Sequence, residues 1–228
     1  MTSPGRSRRR RFLLWTGVVL LVAGLGCIGW VAWQLYVTTW VAQRDQDRSV
    51  AATERVWQDA QPGGDGVSDD DVRLAEGVVA LVRIPAFGDD YVVPVREGTG
   101  DDVLARGFGL FDGSPDPGEV GNYALGGHRV THGEPLRHMP DLEPGDVVEV
   151  TTADTVYTYT LDTAGDALTV DMADTWVVGP DPVPPSGGEP VSEQVGSRRL
   201  LTLVTCSELF HTDHRLVAFG HLTDRRPT

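Results

Sequence analysis

The chain has 228 residues, two cysteines and 33 acidic against 19 basic side chains, a net charge of −14. That balance excludes a nucleic-acid binder, which needs cations against phosphates, and two cysteines exclude a disulfide scaffold or a multi-cysteine metal site. With 40% hydrophobic residues the chain is not a disordered one.

Every basic residue is an Arg, and five of them fall within residues 1–11, which hold no acid. The rest of the chain therefore stands at −19. An uncharged run follows from Phe12 to the next charge at Arg44, with an apolar heart over 13–35. About 20 such residues cross the hydrocarbon core of a bilayer as a helix. Trp30, Trp33, Tyr36 and Trp40 gather at its far end, where aromatic rings favour the headgroup interface. The Arg block stays cytoplasmic, so the bulk of the chain lies outside. The run is longer than the apolar stretch of a cleaved signal peptide, and a lipoprotein signal at Cys27 would place Gly24 where a Leu-like residue belongs. The expected organisation is a cytoplasmic tail 1–11, a single-pass anchor 12–41, a stalk and acidic linker 42–71, and an extracytoplasmic domain 72–228.

Residues 41–60 are polar with scattered Ala, Val and Trp57, which fits a helical stalk. "QPGGDGVSDDD" over 61–71 has almost nothing to bury and reads as a solvated linker. The domain then reads as β. Runs rich in β-branched residues at 77–85 and 91–97 are punctuated by Gly, Asp and Pro. A strand over 122–129 follows a Pro- and Gly-rich loop. Alternation at 146–152 and 155–163 predicts a hairpin turning at Ala153-Asp154. Strands over 199–207 and 215–222 close the chain, and short helices are expected at 101–106 and 135–141. Seven or so short strands at this spacing suggest a sandwich or a closed barrel, and pattern alone does not choose.

Cys206 is the sole thiol of the external domain, since Cys27 lies in the apolar run. It stands where the buried strand "LTLVT" emerges into the polar loop "SELFHTDH", a place from which a rigid scaffold presents a nucleophile. A lone Cys is as readily a small buried hydrophobe. A thiol nucleophile needs a base and an oxyanion stabiliser. His128, His132, His138, His211, His214 and His221 are the available imidazoles, most of them expected as solvated or core residues. Arg215, nine residues on and opening the next strand, can lie across a hairpin from the thiol. Cys206, His211 and His214 with His128 or His132 would number four zinc ligands, but their spacing matches no zinc pattern. No metal and no cofactor is expected.

The blocks "GNYALGGHRVTHGEP", "LEPGDVVEV" and "LLTLVTCSELFHTDHRLVAFGHL" appear in order behind an N-terminal anchor. In this the chain resembles the sortases, most closely the class E sortases of high-GC Gram-positive bacteria, over roughly 78–222. The resemblance implies an all-β fold, a closed eight-stranded barrel with short helices. It assigns the catalytic His to His128, the nucleophile to Cys206 and the Arg to Arg215, with Thr205 helping to hold the substrate or its oxyanion. It implies cleavage of a sorting signal between Thr and Gly, of Leu-Ala-x-Thr-Gly type, through a thioacyl enzyme resolved by a cell-wall amine. The implied partners are sorting-signal-bearing surface proteins and a peptidoglycan amine. Phe111 stands where such enzymes carry a substrate-binding Tyr, a departure that bears on motif preference. The rival class is a membrane-tethered binding module on the same barrel without chemistry.

Overall fold

The structure is a computed structural model and describes residues 5–33, 38–60, 66–185, 199–207 and 213–228. Helix α1 (Gly5–Ala32) contains the window Leu13–Trp30, long and apolar enough to cross a membrane by length and composition, and it buries none of that window in the protein. Helices α2 (Thr38–Asp59) and α3 (Asp69–Ala75) follow. The strands are β1 (Val78–Arg83), β2 (Val92–Glu97), β3 (Phe108–Leu110), β4 (Gly121–Gly126), β5 (Val147–Thr151), β6 (Thr155–Leu161), β7 (Leu168–Asp171), β8 (Arg199–Cys206) and β9 (His214–Pro227).

Eight strands pair in the order β6-β5-β1-β2-β3-β4-β8-β9, and a further β6–β9 ladder closes the ring. Closure leaves no open edge in the barrel wall. Strand β9 is long because it serves two partners along one side: 214–217 pair with β7 and 220–227 with β6. The expected β5–β6 hairpin is present, turning through Thr152 N–H to the Thr155 carbonyl at 2.8 Å. Of the expected short helices, 101–106 forms as α4 (Asp101–Leu104), whereas 135–141 shrinks to a 3-10 turn at Met139–Asp141, consistent with Pro135 and Pro140 in that stretch. Strands β3 and β7, three and four residues long, are additions the pattern does not signal.

The barrel is filled by Phe108, Tyr123, Leu125, Leu136, Tyr159, Leu201 and Leu203 among others. Alternation along β8 sends Leu201 and Leu203 inward and leaves Val204 on the outer face. There β7 and a 3-10 turn (Thr175–Val178) cover it, in a second apolar layer of Val170, Val177, Val204, Val217 and Phe219. Burial on both faces explains why β8 reads as a mostly apolar run broken only by the buried Thr202 and Thr205 after Arg199. The Tyr123 hydroxyl is one of the few buried polar atoms without a partner among the described residues. Tyr123→Phe keeps the ring and removes the orphan, so the thermal midpoint should rise, by up to about 1–3 kcal/mol in stability. A fall would mean that the hydroxyl is satisfied in solution.

The stretch 42–71 does more than connect. On α2, Gln46, Ser49, Ala52 and Thr53 are buried, a stripe at helical spacing pressed on the domain. Ser49 donates to the Leu74 carbonyl at 2.8 Å and accepts from Arg96 at 2.8 Å. Three of these four side chains are polar, so hydrophobic periodicity gives no sign of the docking.

Candidate active site

Cys206 ends β8 and is half-buried, on the same face as Val204 two residues before it. The β8–β9 register sets Cys206 directly opposite Arg215. Cross-strand partners share a face, so the Cys206 and Arg215 side chains leave neighbouring strands on the same outer wall. The parallel β4–β8 ladder pairs Gly126 with Val204, and the Gly127 N–H continues it onto the Val204 carbonyl at 3.1 Å. His128 follows two residues after Gly126, at the end of the strand beside Cys206. The registers of three strands thus bring His128, Cys206 and Arg215 to one end of the barrel.

The two glycines before His128 have distinct reasons. A Cβ at Gly126 would lie 3.2 Å from the Phe111 ring, and one at Gly127 would lie 3.1 Å from Phe108 inside the barrel. Phe111 therefore packs on the outer layer, on the face that carries Cys206. Thr205 points the other way. It is buried, and its hydroxyl donates to the Gly127 carbonyl at 2.7 Å, tying the end of β4 to the end of β8. Direct contact between that hydroxyl and a substrate requires this bond to be exchanged.

The Arg215 guanidinium donates to the His214 carbonyl at 2.9 Å and to the Met172 thioether at 3.3 Å. Thioether sulfur is a weak acceptor, readily given up for a negatively charged oxygen. The remaining imidazoles fall into separate settings. His138 meets Asp141 at 3.0 Å, His214 meets Asp171 at 3.3 Å and His221 meets Asp162 at 2.8 Å. His211 lies outside the described residues, as does most of the loop after the thiol. Among the described residues no three His, Cys, Asp or Glu side chains group as metal ligands.

His132 is the residue that sequence reasoning underused. Its ring lies 5.0 Å from that of His128, tilted by 30°. Its backbone holds φ +52, in the left-handed region, and Glu134 holds φ +53. Helix α2 pins this strained loop: Gln46 donates to the His132 carbonyl at 3.2 Å and Gln43 to the Gly133 carbonyl at 3.3 Å. Gly133 is required there, because φ is +86 and a Cβ would fall 2.6 Å from Gln46.

Burial pushes the His128 imidazole below its ordinary value, His132 pushes it further, and Asp101 acts weakly the other way. The neutral ring is therefore favoured near pH 7. The unfolded chain takes up this proton first, at about 6.5, so the stability involved is present above that pH and is lost as pH falls toward the lower folded value. In urea titrations, wild type should lose stability below that pH more steeply than His128→Asn. Equal slopes would show that His128 titrates alike in both states.

The sortase-domain family model matches residues 82–223. Sortase SrtE1 of Streptomyces coelicolor is 31% identical over 221 residues, covering 92% of this chain and 57% of that protein. Sortase SrtE2 of the same organism is 26% identical over 96% of this chain and 87% of its own length. The chain thus spans little more than half the length of the first relative. Sortase E of Streptomyces avermitilis matches in structure with a TM-score of 0.56 and 35% identity, over 66% of this chain and 90% of that one. Sortase E1 of Streptomyces coelicolor, solved with a tripeptide in its active site, gives 0.55 and 32% over the same shares. With a family match across the barrel and these class E relatives, the chain belongs to the sortase family.

Proposed function

We propose that the protein is a membrane-anchored cysteine transpeptidase that cleaves a C-terminal sorting signal between Thr and Gly and joins the acyl part to a cell-wall amine. The observation that carries this reading is the strand register: Cys206 opposite Arg215, with His128 at the end of the parallel neighbour. In the proposed reaction the Cys206 thiol passes its proton to the neutral His128 ring as the sulfur attacks the Thr carbonyl carbon. The C–N bond to Gly breaks, and His128 gives a proton to the departing amine. An incoming amine then attacks the thioester, loses a proton to His128, and the C–S bond returns its electrons to the thiolate. Arg215 holds the oxyanion in both tetrahedral stages.

The outer apolar layer with Phe111 offers a surface for the Leu and Ala side chains of the signal. Having no phenol, Phe111 supplies packing there and no hydrogen bond. Thr205 supports the site from below through the β4–β8 junction. Helix α1 supplies the anchor, with the Arg block 1–11 on the cytoplasmic side.

The full chain in detergent, mixed with a Leu-Ala-x-Thr-Gly peptide and an amine, should give an amine-linked product by mass spectrometry. If neither this peptide nor its Leu-Pro-x-Thr-Gly counterpart acylates Cys206, the binding-module reading replaces this one. Arg215→Ala should lower kcat by about 10²–10³-fold, as loss of an oxyanion donor does. Arg215→Lys should recover part of it, since charge remains but the fork is lost. A change confined to KM would move Arg215 from the oxyanion to ground-state binding.

A further inference from the structure

A cavity of about 870 Å³ opens where α2, α3 and the end of β2 meet, with His132 in its wall. Its wall carries four guanidiniums, Arg48, Arg73, Arg96 and Arg106, against two carboxylates, Asp45 and Glu76. The chain beyond residue 11 has 33 acids against 14 Arg, so four Arg against two carboxylates around one cavity is a local excess of positive charge in an acidic protein. Arg48 and Arg73 have exposed carboxylate neighbours, Asp45 at 3.2 Å and Asp70 at 2.6 Å. Arg96 has no carboxylate within salt-bridge distance among the described residues. Its Nη atoms reach the Arg106 carbonyl at 3.4 Å and the Ser49 hydroxyl, and its Nε is buried with no partner. Burial and the Arg106 charge both work against that cation.

Among the described residues just three buried side-chain nitrogen or oxygen atoms lack a hydrogen-bond partner. Two of them, Arg96 Nε and His132 Nδ1, belong to residues lining this one cavity. Folded proteins rarely leave such atoms orphaned. Arg Nε can only donate, and His Nδ1 donates in one tautomer and in the cation. The orphaned Arg96 Nε, a ring nitrogen able to donate, and four guanidiniums against two carboxylates fit an oxyanion with several acceptor oxygens. The cavity also has Trp33 in its wall, at the end of the apolar helix α1. That end is where a bilayer would present phosphate headgroups.

We propose that this cavity is an anion site for a phosphate group, held by Arg96 and His132 within the field of Arg106 and Arg48. An anionic phospholipid headgroup and free phosphate share that chemistry, and the full chain distinguishes them. Half of the basic wall, Arg48 and Arg73, comes from helices that precede the family match at 82–223, so the site joins the N-terminal helices to the barrel. The proposal does not rest on the acyl-transfer reading, and phosphate binding is read without turnover, although His132 lies 5.0 Å from His128.

In neutral detergent, phosphate should raise the thermal midpoint above that in chloride at matched ionic strength. In nanodiscs of phosphatidylcholine and phosphatidylglycerol, native mass spectrometry after release should find phosphatidylglycerol retained over phosphatidylcholine if the source is lipid. A phosphate shift without lipid preference supports the same site with a soluble ligand. Arg96→Gln should weaken either effect about tenfold, the loss of one charge-assisted bond. Arg96 also braces Ser49, so Arg106→Gln, at an exposed position, is the second variant and should weaken binding in the same direction. No phosphate-specific shift and no lipid preference in the wild type, or equal binding by wild type and both variants, overturns the proposal.

Discussion

With Cys206 replaced by Ala, acyl transfer to any amine should fall by about 10⁴-fold or more, since removing a covalent nucleophile leaves only the binding and electrostatic parts of catalysis. No acyl adduct should then appear on the intact protein in a mass spectrum. The fold should stay as it was. Cys206 ends its strand half-buried and belongs to neither apolar cluster, so loss of its sulfur removes little packing. The unfolding midpoint should therefore stay within the range of surface substitutions, about 0.5 kcal/mol. That separation makes the result informative. Thr205→Val, by contrast, keeps the thiol but breaks the bond to the Gly127 carbonyl and leaves that carbonyl unpaired. It should cost about 1–3 kcal/mol of stability and slow turnover by loosening the β4 end. A Cys206→Ala protein that still forms the amine-linked product would remove the thiol from the mechanism altogether.

The parts of this design that sequence displays are those governed by local alternation or by neighbours in the chain. The β5–β6 hairpin is legible because two alternating strands are joined by a two-residue turn. The Cys206–Arg215 pair is legible because nine residues fit a hairpin, and the register delivers it. His128 is different. Its place beside Cys206 depends on a parallel β4–β8 ladder between strands about 80 residues apart, and no local pattern encodes that pairing. It is legible only through the resemblance in the "GGHR" and "TLVTC" blocks. Strand β7 is too short to show a period, yet it covers the outer face of β8 and carries the turn beside Met172. The docking of α2 is hidden for a chemical reason. Gln46, Ser49 and Thr53 are buried by hydrogen bonding, so the helix reads as a solvated stalk while gripping the His132 loop. The tail of β9 from 223 to 227 pairs with β6 while its side chains stay in solvent, which is why the pattern predicts a strand ending near 222.

His128→Asn should lower kcat on an amide substrate by about 10²–10⁴-fold, the usual worth of a positioned general acid and base. Asn retains polarity and a similar reach but cannot carry a proton between amines. The chemistry predicts a further split. A Gly amine leaves poorly unless it is protonated, whereas an activated ester with the same acyl part leaves unaided. Acylation of Cys206 by the ester should therefore be slowed far less than acylation by the peptide. Loss of the base that takes the thiol proton slows both substrates, so the acid role is read from the extra slowing of the peptide, and equal slowing would leave His128 as a base or a structural prop alone. The neighbour gives an independent handle. His132 is one cause of the lowered His128 value, after burial, and its ring lies 5.0 Å away. His132→Asn removes that repulsion, so the His128-dependent limb of the pH–rate profile should move upward, toward 6.5, without reaching it because burial remains. Gln46→Ala frees the loop that presents His132 and should move the same limb in the same direction, though α2 touches no reacting atom. An unmoved limb in both variants would show that His132 does not act on His128 and would leave His128 set by burial alone.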